Sequence, residues 1–312
     1  MKILPTNFNP KSDSGPNSFS RGLLNMLVDE GKISFAKTIE ESDLEFCLIE
    51  SPIEKIMPRV TRLDGIYFNT SQDYNSLNSN IKKTYAESDA VIFQSNFNKN
   101  LISKWFGNHK NGHVVVNGAN TDLISRIQKA DMREKFSDRE IWSCASSWRP
   151  HKRLSENIRY FVEKSDPESI LLIAGKGVTK EDFLGFESLV NKRVFYLGHV
   201  GWETLISVYK ASTTFLHLSF LDHCPNVVVD AAACGCTIVC SSAGGTSEIH
   251  SNKKIIIEDI DWDYSPIELY SPPRLDFESS RIDLGSEAYD LSNACEKYYN
   301  IMEKTVEKSK NL

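Results

Sequence analysis

The sequence predicts an α/β fold with two parallel-stranded domains, on three observations. Short apolar runs alternate with amphipathic helical patterns throughout the chain. The 312 residues suit two cores, at roughly 100–200 residues per domain. A polar, charged tract without strand character, NGANTDLISRIQKADMREKFSDR (117–139), separates two series of strands.

In the first series, strands are expected at Lys2–Leu4, Leu44–Ile49, Arg59–Leu63, Ala90–Gln94 and His113–Val116. A helix over Ser18–Glu30 aligns Phe19, Leu23 and Leu27 and stops at Gly31, and another over Asn96–Phe106 stops at Gly107. In the second series, strands are expected at Ile141–Ala145, Ile170–Ala174, Val194–Leu197, Thr214–Leu218, Thr237–Ser241 and Lys254–Ile257. The helices between them start at Leu154 or cover Glu203–Ala211 and Pro225–Ala233. After a Pro-containing stretch (262–274), a terminal helix repeats Leu291, Cys295, Tyr298, Met302 and Val306 at three- and four-residue intervals. The domains are therefore drawn as 1–125, 126–285 and a C-terminal helical segment, 286–312.

A net charge of −6 argues against broad nucleic-acid binding, so any anionic ligand needs local positive charge. The segment MKILPTNFNP meets Pro5 and Asn7 at once and is read as neither signal peptide nor membrane span; a cytoplasmic protein with at most peripheral membrane contact is expected. Seven cysteines, an odd and scattered set, fit reduced thiols. Cys234, Cys236 and Cys240 lack zinc-site spacing and are read as core thiols, so no metal site is expected.

The richest stretch is SFLDHCPNVVVDAAACGCTIVCSSAGGTSE (219–248). Asp222 follows a strand, Pro225 suits a first helical position, and Asn226, Val227 and Val228 then offer unpaired N–H groups to an anion. Asp230 sits where it can reach hydroxyls beside that anion, an arrangement suited to a sugar nucleotide. The segment SSWRPHKRL (146–154) gathers Arg149, His151, Lys152 and Arg153 behind another strand. It reads either as a diphosphate-neutralising loop or as a solvated basic turn. In AGKG, Gly175 and Gly177 read first as a plain turn, since the spacing matches neither a dinucleotide fingerprint nor a Walker loop. Gly15 opens a helix with its amide available to a cleft, and Arg62 with Asp64 in RLDGIY form either an ion pair or a substrate contact.

Taken in order, these segments resemble family 4 glycosyltransferases of the GT-B fold, retaining enzymes that use nucleotide sugars. The resemblance covers most of the chain. SDAVIFQSNFNKNLISKWFG resembles the strand and helix that end the family's first domain, and VVVNGANTDLI its linker entry. SSWRPHKRL, LLIAGKG, VFYLGHV and the stretch from Ser219 follow in the family's order. The resemblance implies two Rossmann-like domains whose parallel sheets face a central cleft, with a C-terminal helix crossing back. It implies Arg149 and Lys152 on the donor diphosphate, Asp222 on the donor-sugar hydroxyls and Asp230 on the ribose. The family has glutamates at both acidic positions; here the spacing is kept and each arm is one methylene shorter. Asp64 stands where many relatives carry a histidine that touches the sugar, with Arg62 assigned to the acceptor side.

The donor-binding set is completed by Gly15, Gly175, His223, Cys224, Pro225, Asn226, Val227 and Val228, with backbone contacts to the base near Gly198, His199 and Val200. The implied reaction moves a sugar, with retention, from a nucleotide-diphosphate sugar, a co-substrate with no further cofactor, to a carbohydrate, lipid-linked or small-molecule hydroxyl. The residues also leave open a non-catalytic nucleotide-sugar module and a nucleotide-sugar epimerase of the same fold.

Overall fold

The computed structural model describes residues 1–258, 262–285 and 289–311. The start of the expected C-terminal segment, 286–288, lies outside the described residues. The chain divides into two compact units: Met1–Gly118 with Asp263–Ile267 and Tyr289–Leu312, and Ala119–Trp262 with Glu268–Ala288.

The first unit is built on β1 (Lys2–Thr6), β2 (Ser34–Phe35), β3 (Leu44–Leu48), β4 (Arg59–Arg62), β5 (Ala90–Phe93) and β6 (Gly112–Val114). Its six-stranded sheet has the order β2-β1-β3-β4-β5-β6, and every pairing is parallel. β3, β4 and β5 are buried along their whole length; β5 (AVIF) reads as an unbroken apolar run, whereas β3 and β4 carry the buried, ion-paired Glu45, Arg59 and Arg62. α1 (Gly15–Asp29) starts before the periodic stretch because Ser14 and Pro16 favour a first turn there, and it buries Phe19, Leu23 and Leu27. α2 (Tyr74–Glu87) escaped the periodicity reading: its buried face is half polar, Asn78 and Thr84 beside Ile81 and Tyr85. α3 (Asn96–Phe106) is capped by Ser95, which accepts from Asn98 N–H.

In the second unit come α4 (Thr121–Arg126), α5 (Arg133–Phe136), β7 (Ile141–Ala145), α6 (Leu154–Lys164), β8 (Ile170–Ala174), β9 (Val194–Tyr196) and α7 (Trp202–Ala211). β10 (Thr214–His217), α8 (Asn226–Ala233), β11 (Thr237–Ser241), β12 (Asn252–Ile256) and β13 (Ser280–Leu284) follow. The seven-stranded order is β13-β12-β11-β10-β7-β8-β9, parallel except where β13 pairs antiparallel with β12. β13 gave no sequence signal because it is an exposed edge; Ile282 and Leu284 are 74% and 81% accessible.

The chain then returns to the first unit with α9 (Leu291–Lys310), capped by Asp290. The expected stripe of Leu291, Cys295, Tyr298, Met302 and Val306 is buried in one core with Phe19, Leu23, Leu27 and Phe46. At roughly 1.5–3 kcal/mol per large apolar side chain, that stripe is what holds α9 to the sheet. Among the described residues, no helix is long and apolar enough to cross a membrane.

Candidate functional site

The second sheet places two loops side by side. From β7 the chain steps outward through β8 and β9, then returns to the other side of β7 with β10. At such a reversal the loops leaving the two central strands diverge and open a crevice at the strands' C-terminal ends. One loop is the basic turn after β7; the other carries Asp222. A backbone bond from Phe220 N–H to His151 O, 2.7 Å, ties them together.

Asp222 is the hub where these two loops meet. Its Oδ2 is ion-paired with Lys152 Nζ and lies 2.9 Å from His217 Nε2, while Oδ1 accepts from His223 N–H at 3.0 Å. Burial alone would raise the Asp222 carboxyl, but the Lys152 ammonium and His217 outweigh it and hold the group well below the usual carboxylate range. Burial is the leading influence on His217 and lowers its pKa, so the ring is neutral. An ionised carboxylate only accepts, which assigns the Nε2 proton to the imidazole. The backbone is fitted to the contact: Leu221 adopts φ 55°, and Gly245 N–H donates to Asp222 O at 2.7 Å. A Cβ at Gly244, φ 106°, would lie 2.6 Å from that same oxygen.

The four basic residues of the turn separate into two pairs. Arg153, φ 52°, is buried and gives both terminal nitrogens to Glu258 at 2.8 Å. His151 stacks on Tyr270 at 5.5 Å, and burial, aided by Lys152, pushes its pKa down to about 3, so it adds no charge. Arg149 is exposed and in no ion pair among the described residues, and Lys152 reaches Asp222. Of the four, only Arg149 is thus an exposed charge outside any ion pair among the described residues, while the Lys152 charge is shared with Asp222.

α8 begins directly after Pro225. One expectation is corrected: Val228 N–H donates to Pro225 O at 3.0 Å, so this donor is spent on the chain's own first turn. Cys224 is buried, while His223, Asn226 and Val227 remain partly accessible. Burial pushes the His223 pKa down to about 4. Further along α8, Asp230 Oδ2 accepts from Trp202 Nε1 at 3.0 Å, and burial raises its carboxyl to about 6. Cys236 and Cys240 are buried thiols pushed up to about 12.

Gly175 and Gly177 have a packing reason for lacking side chains. An added Cβ would lie 1.8 Å from Ser146 O at Gly175 and 2.5 Å from Trp148 O at Gly177, so the loop after β8 lies directly against the basic turn. Gly175 N–H donates to Gly198 O at 2.8 Å, joining the segment of Gly198, exposed His199 and half-buried Val200 to the same loop.

In the first unit, Gly15 is the first residue of α1. Arg62 and Asp64 form a buried ion pair, with Nε–Oδ1 at 2.6 Å and Nη2 donating to Oδ2 at 3.0 Å. Arg62 Nη1 also donates to Tyr298 Oη at 2.9 Å and Asn117 Oδ1 at 3.2 Å, and its guanidinium lies 4.2 Å from the Phe19 ring centroid. At 1% accessibility Arg62 is committed to the core of its unit, which takes the ion-pair alternative for this pair rather than an acceptor contact through Arg62.

Sequence reasoning missed His217, Trp202, Glu258 and Tyr270. His217 could have been noticed as a histidine within the apolar run FLHLSF; the others touch the site only through strand order.

Residues 125–264 match the family Glycosyl transferases group 1, a range that contains Arg149, Lys152, Asp222 and Asp230. An uncharacterized glycosyltransferase of Methanocaldococcus jannaschii is 27% identical over 177 residues, which is 54% of this chain and 44% of that relative. The match thus spans less than half of the relative's length. Among solved structures, Anabaena HepE in complex with UDP and glucose is similar at a TM-score of 0.65 and 14% identity, covering 97% of this chain and 100% of that one. Sucrose-phosphate synthase from Thermosynechococcus elongatus is similar at 0.65 and 13% identity, covering 100% and 98%. At these identities the likeness shows the fold, a two-unit α/β fold of the GT-B type.

Proposed function

We propose that the protein is a cytoplasmic, retaining glycosyltransferase of the family 4 kind, moving a sugar from a nucleotide-diphosphate sugar to a hydroxyl of a glycan, lipid-linked or small-molecule acceptor. The observation that carries this reading is the meeting of Lys152 and Asp222 at the strand reversal, with Arg149 exposed on the same turn. Negative charge builds on the diphosphate as the glycosidic bond breaks, and fixed cations at that point lower the barrier electrostatically. On this reading Arg149 and Lys152 supply the charge that a metal would otherwise bring. Asp222 addresses the sugar hydroxyls, Asp230 the ribose, and the Gly198–Val200 backbone the base. A donor phosphate oxygen takes the acceptor's proton during front-side attack. The complexes of HepE with UDP, glucose and UDP-glucose support a nucleotide-sugar donor.

The test is product analysis with a panel of nucleotide sugars and hydroxyl acceptors. Arg149→Ala and Lys152→Ala should each lower turnover on the order of 100-fold, the usual loss for one transition-state donor. Undiminished transfer in both variants would refute the diphosphate assignment, and an inverted anomeric centre in the product would refute retention. Donor isomerisation without acceptor would favour the epimerase instead.

A further inference from the structure

Two groups compete for one oxygen of Asp222, and they differ in how firmly they are held. His217 ends strand β10, is 3% accessible and is packed parallel to Phe215 at 6.4 Å between ring centroids. Lys152 sits in a short turn outside the sheet and is the more accessible partner, 16% against 3%. The second carboxylate oxygen is held by the chain's own His223 N–H. The carboxylate therefore has a buried anchor, a backbone anchor and a movable cation on its outer side.

This arrangement matters because Lys152 cannot fully serve a diphosphate while it neutralises Asp222. An ammonium is a compact charge on a flexible stem and can change partners, whereas an imidazole at the end of a buried strand cannot follow it. We propose that His217 is a positioning residue that keeps Asp222 in place, still hydrogen-bonded, when Lys152 leaves it for the diphosphate of the donor. The inference rests on the donor reading of this site and adds an exchange of partners to it. Without the His217 N–H, Asp222 would be left with one side-chain partner, and releasing Lys152 would expose a buried carboxylate to a costly loss of pairing. The ligand would then compete against a tighter ion pair.

The exchange also leaves a proton signature. The charged and titratable groups around His217 are Asp222 and Lys152, with His151 on the neighbouring turn and His223 beyond the carboxylate. Lys152 disfavours protonation of His217 and Asp222 favours it. Departure of Lys152 therefore raises the ring's affinity for a proton, so donor binding near pH 6 should draw a fraction of a proton onto His217, offsetting part of what Asp230 releases.

Calorimetry on the intact protein tests this with UDP-glucose, ADP-glucose and GDP-mannose as probes, each lacking a phosphate that titrates near pH 6. Binding of the accepted probe is measured near pH 6 in two buffers of different ionisation enthalpy. His217→Gln, which keeps an N–H donor but cannot titrate, should release measurably more protons on binding than the wild type does, while binding within about threefold of it. His217→Phe should bind at least tenfold more weakly. Equal proton release by wild type and His217→Gln would overturn the proposal even if the Phe variant fails to fold. So would a folded His217→Phe that binds like wild type, or a Gln variant as weak as the Phe variant. A wild-type protein that binds none of the three probes would instead remove the donor reading underneath.

Discussion

Trp202 Nε1 donates to Asp230 Oδ2 at 3.0 Å, joining the first residue of α7 to the middle of α8. Burial lifts the Asp230 carboxyl to about 6, and the indole N–H pulls it back toward the ionised form. Hydroxyls of a bound ribose need the ionised carboxylate as acceptor, so donor affinity should rise as pH climbs through about 6. Trp202→Phe should shift that midpoint upward and Asp230→Asn should flatten the profile. Titrations of nucleotide-sugar binding between pH 5 and 8 check all three.

His151 and His223 act in the opposite sense on stability. Both are neutral in the fold, with values pushed down to about 3 and about 4 by burial, against 6.5 in an open chain. The unfolded chain binds the extra protons, so stability is lost as pH falls below 6.5. Asp230, raised in the fold, gains stability as pH falls from about 6 to 4, but it is one group against two. For these three groups the balance is a loss of about 2–3 kcal/mol between pH 7 and 5, at about 1.4 kcal/mol per proton per pH unit, and the lowered His217, His109 and His113 add to it. Urea unfolding at the two pH values measures it, and His151→Phe should shrink the loss by about 2 kcal/mol.

Gly175 and Gly198 both have positive φ, 115° and 73°, but only Gly175 faces an obstruction. Gly198→Ala meets nothing within 4 Å and should cost about 1–2 kcal/mol in backbone strain alone. Gly175→Ala adds a collision with Ser146 O and should cost about 2–5 kcal/mol. Because the displaced atom belongs to the basic turn, Gly175→Ala should also weaken nucleotide binding in whatever fraction stays folded. Paired denaturation and binding measurements separate the two effects.

Arg149 and Arg153 stand four residues apart and should respond in opposite ways. Arg153→Ala strands a Glu258 carboxylate that is 4% accessible and should destabilise by about 3–5 kcal/mol. Arg149→Ala removes an exposed side chain and should change stability by no more than about 0.5 kcal/mol while depressing turnover. Thermal melts alongside sugar-transfer assays give both numbers for each variant.

The strands were legible because parallel strands buried on both faces read as plain apolar runs; β7, β8 and β11 have the same limits in sequence and structure. Lys152 and Asp222 could be singled out from residue type and position after a strand. Their direct contact could not, since it depends on β10 returning beside β7 across 70 residues. The fates of His151 and Arg153 were hidden for the same reason: what silences them, Tyr270 and Glu258, lies over a hundred positions downstream. α2 and β13 were missed because the first buries polar groups and the second exposes apolar ones.

The return of α9 to the first unit sets an order of assembly. Arg62 Nη1 and Tyr298 Oη are 236 positions apart, and Phe19 and Phe46 each close on the same tyrosine ring at 6.1 Å. On a ribosome adding about 5–20 residues per second, the first sheet must wait on the order of ten seconds or more for its last covering helix. The second unit, contiguous through most of its length, has that interval to itself. Of the two units, the one made earlier is therefore the one completed last, and its unfinished apolar face is what a nascent chain must keep from sticking to its neighbours.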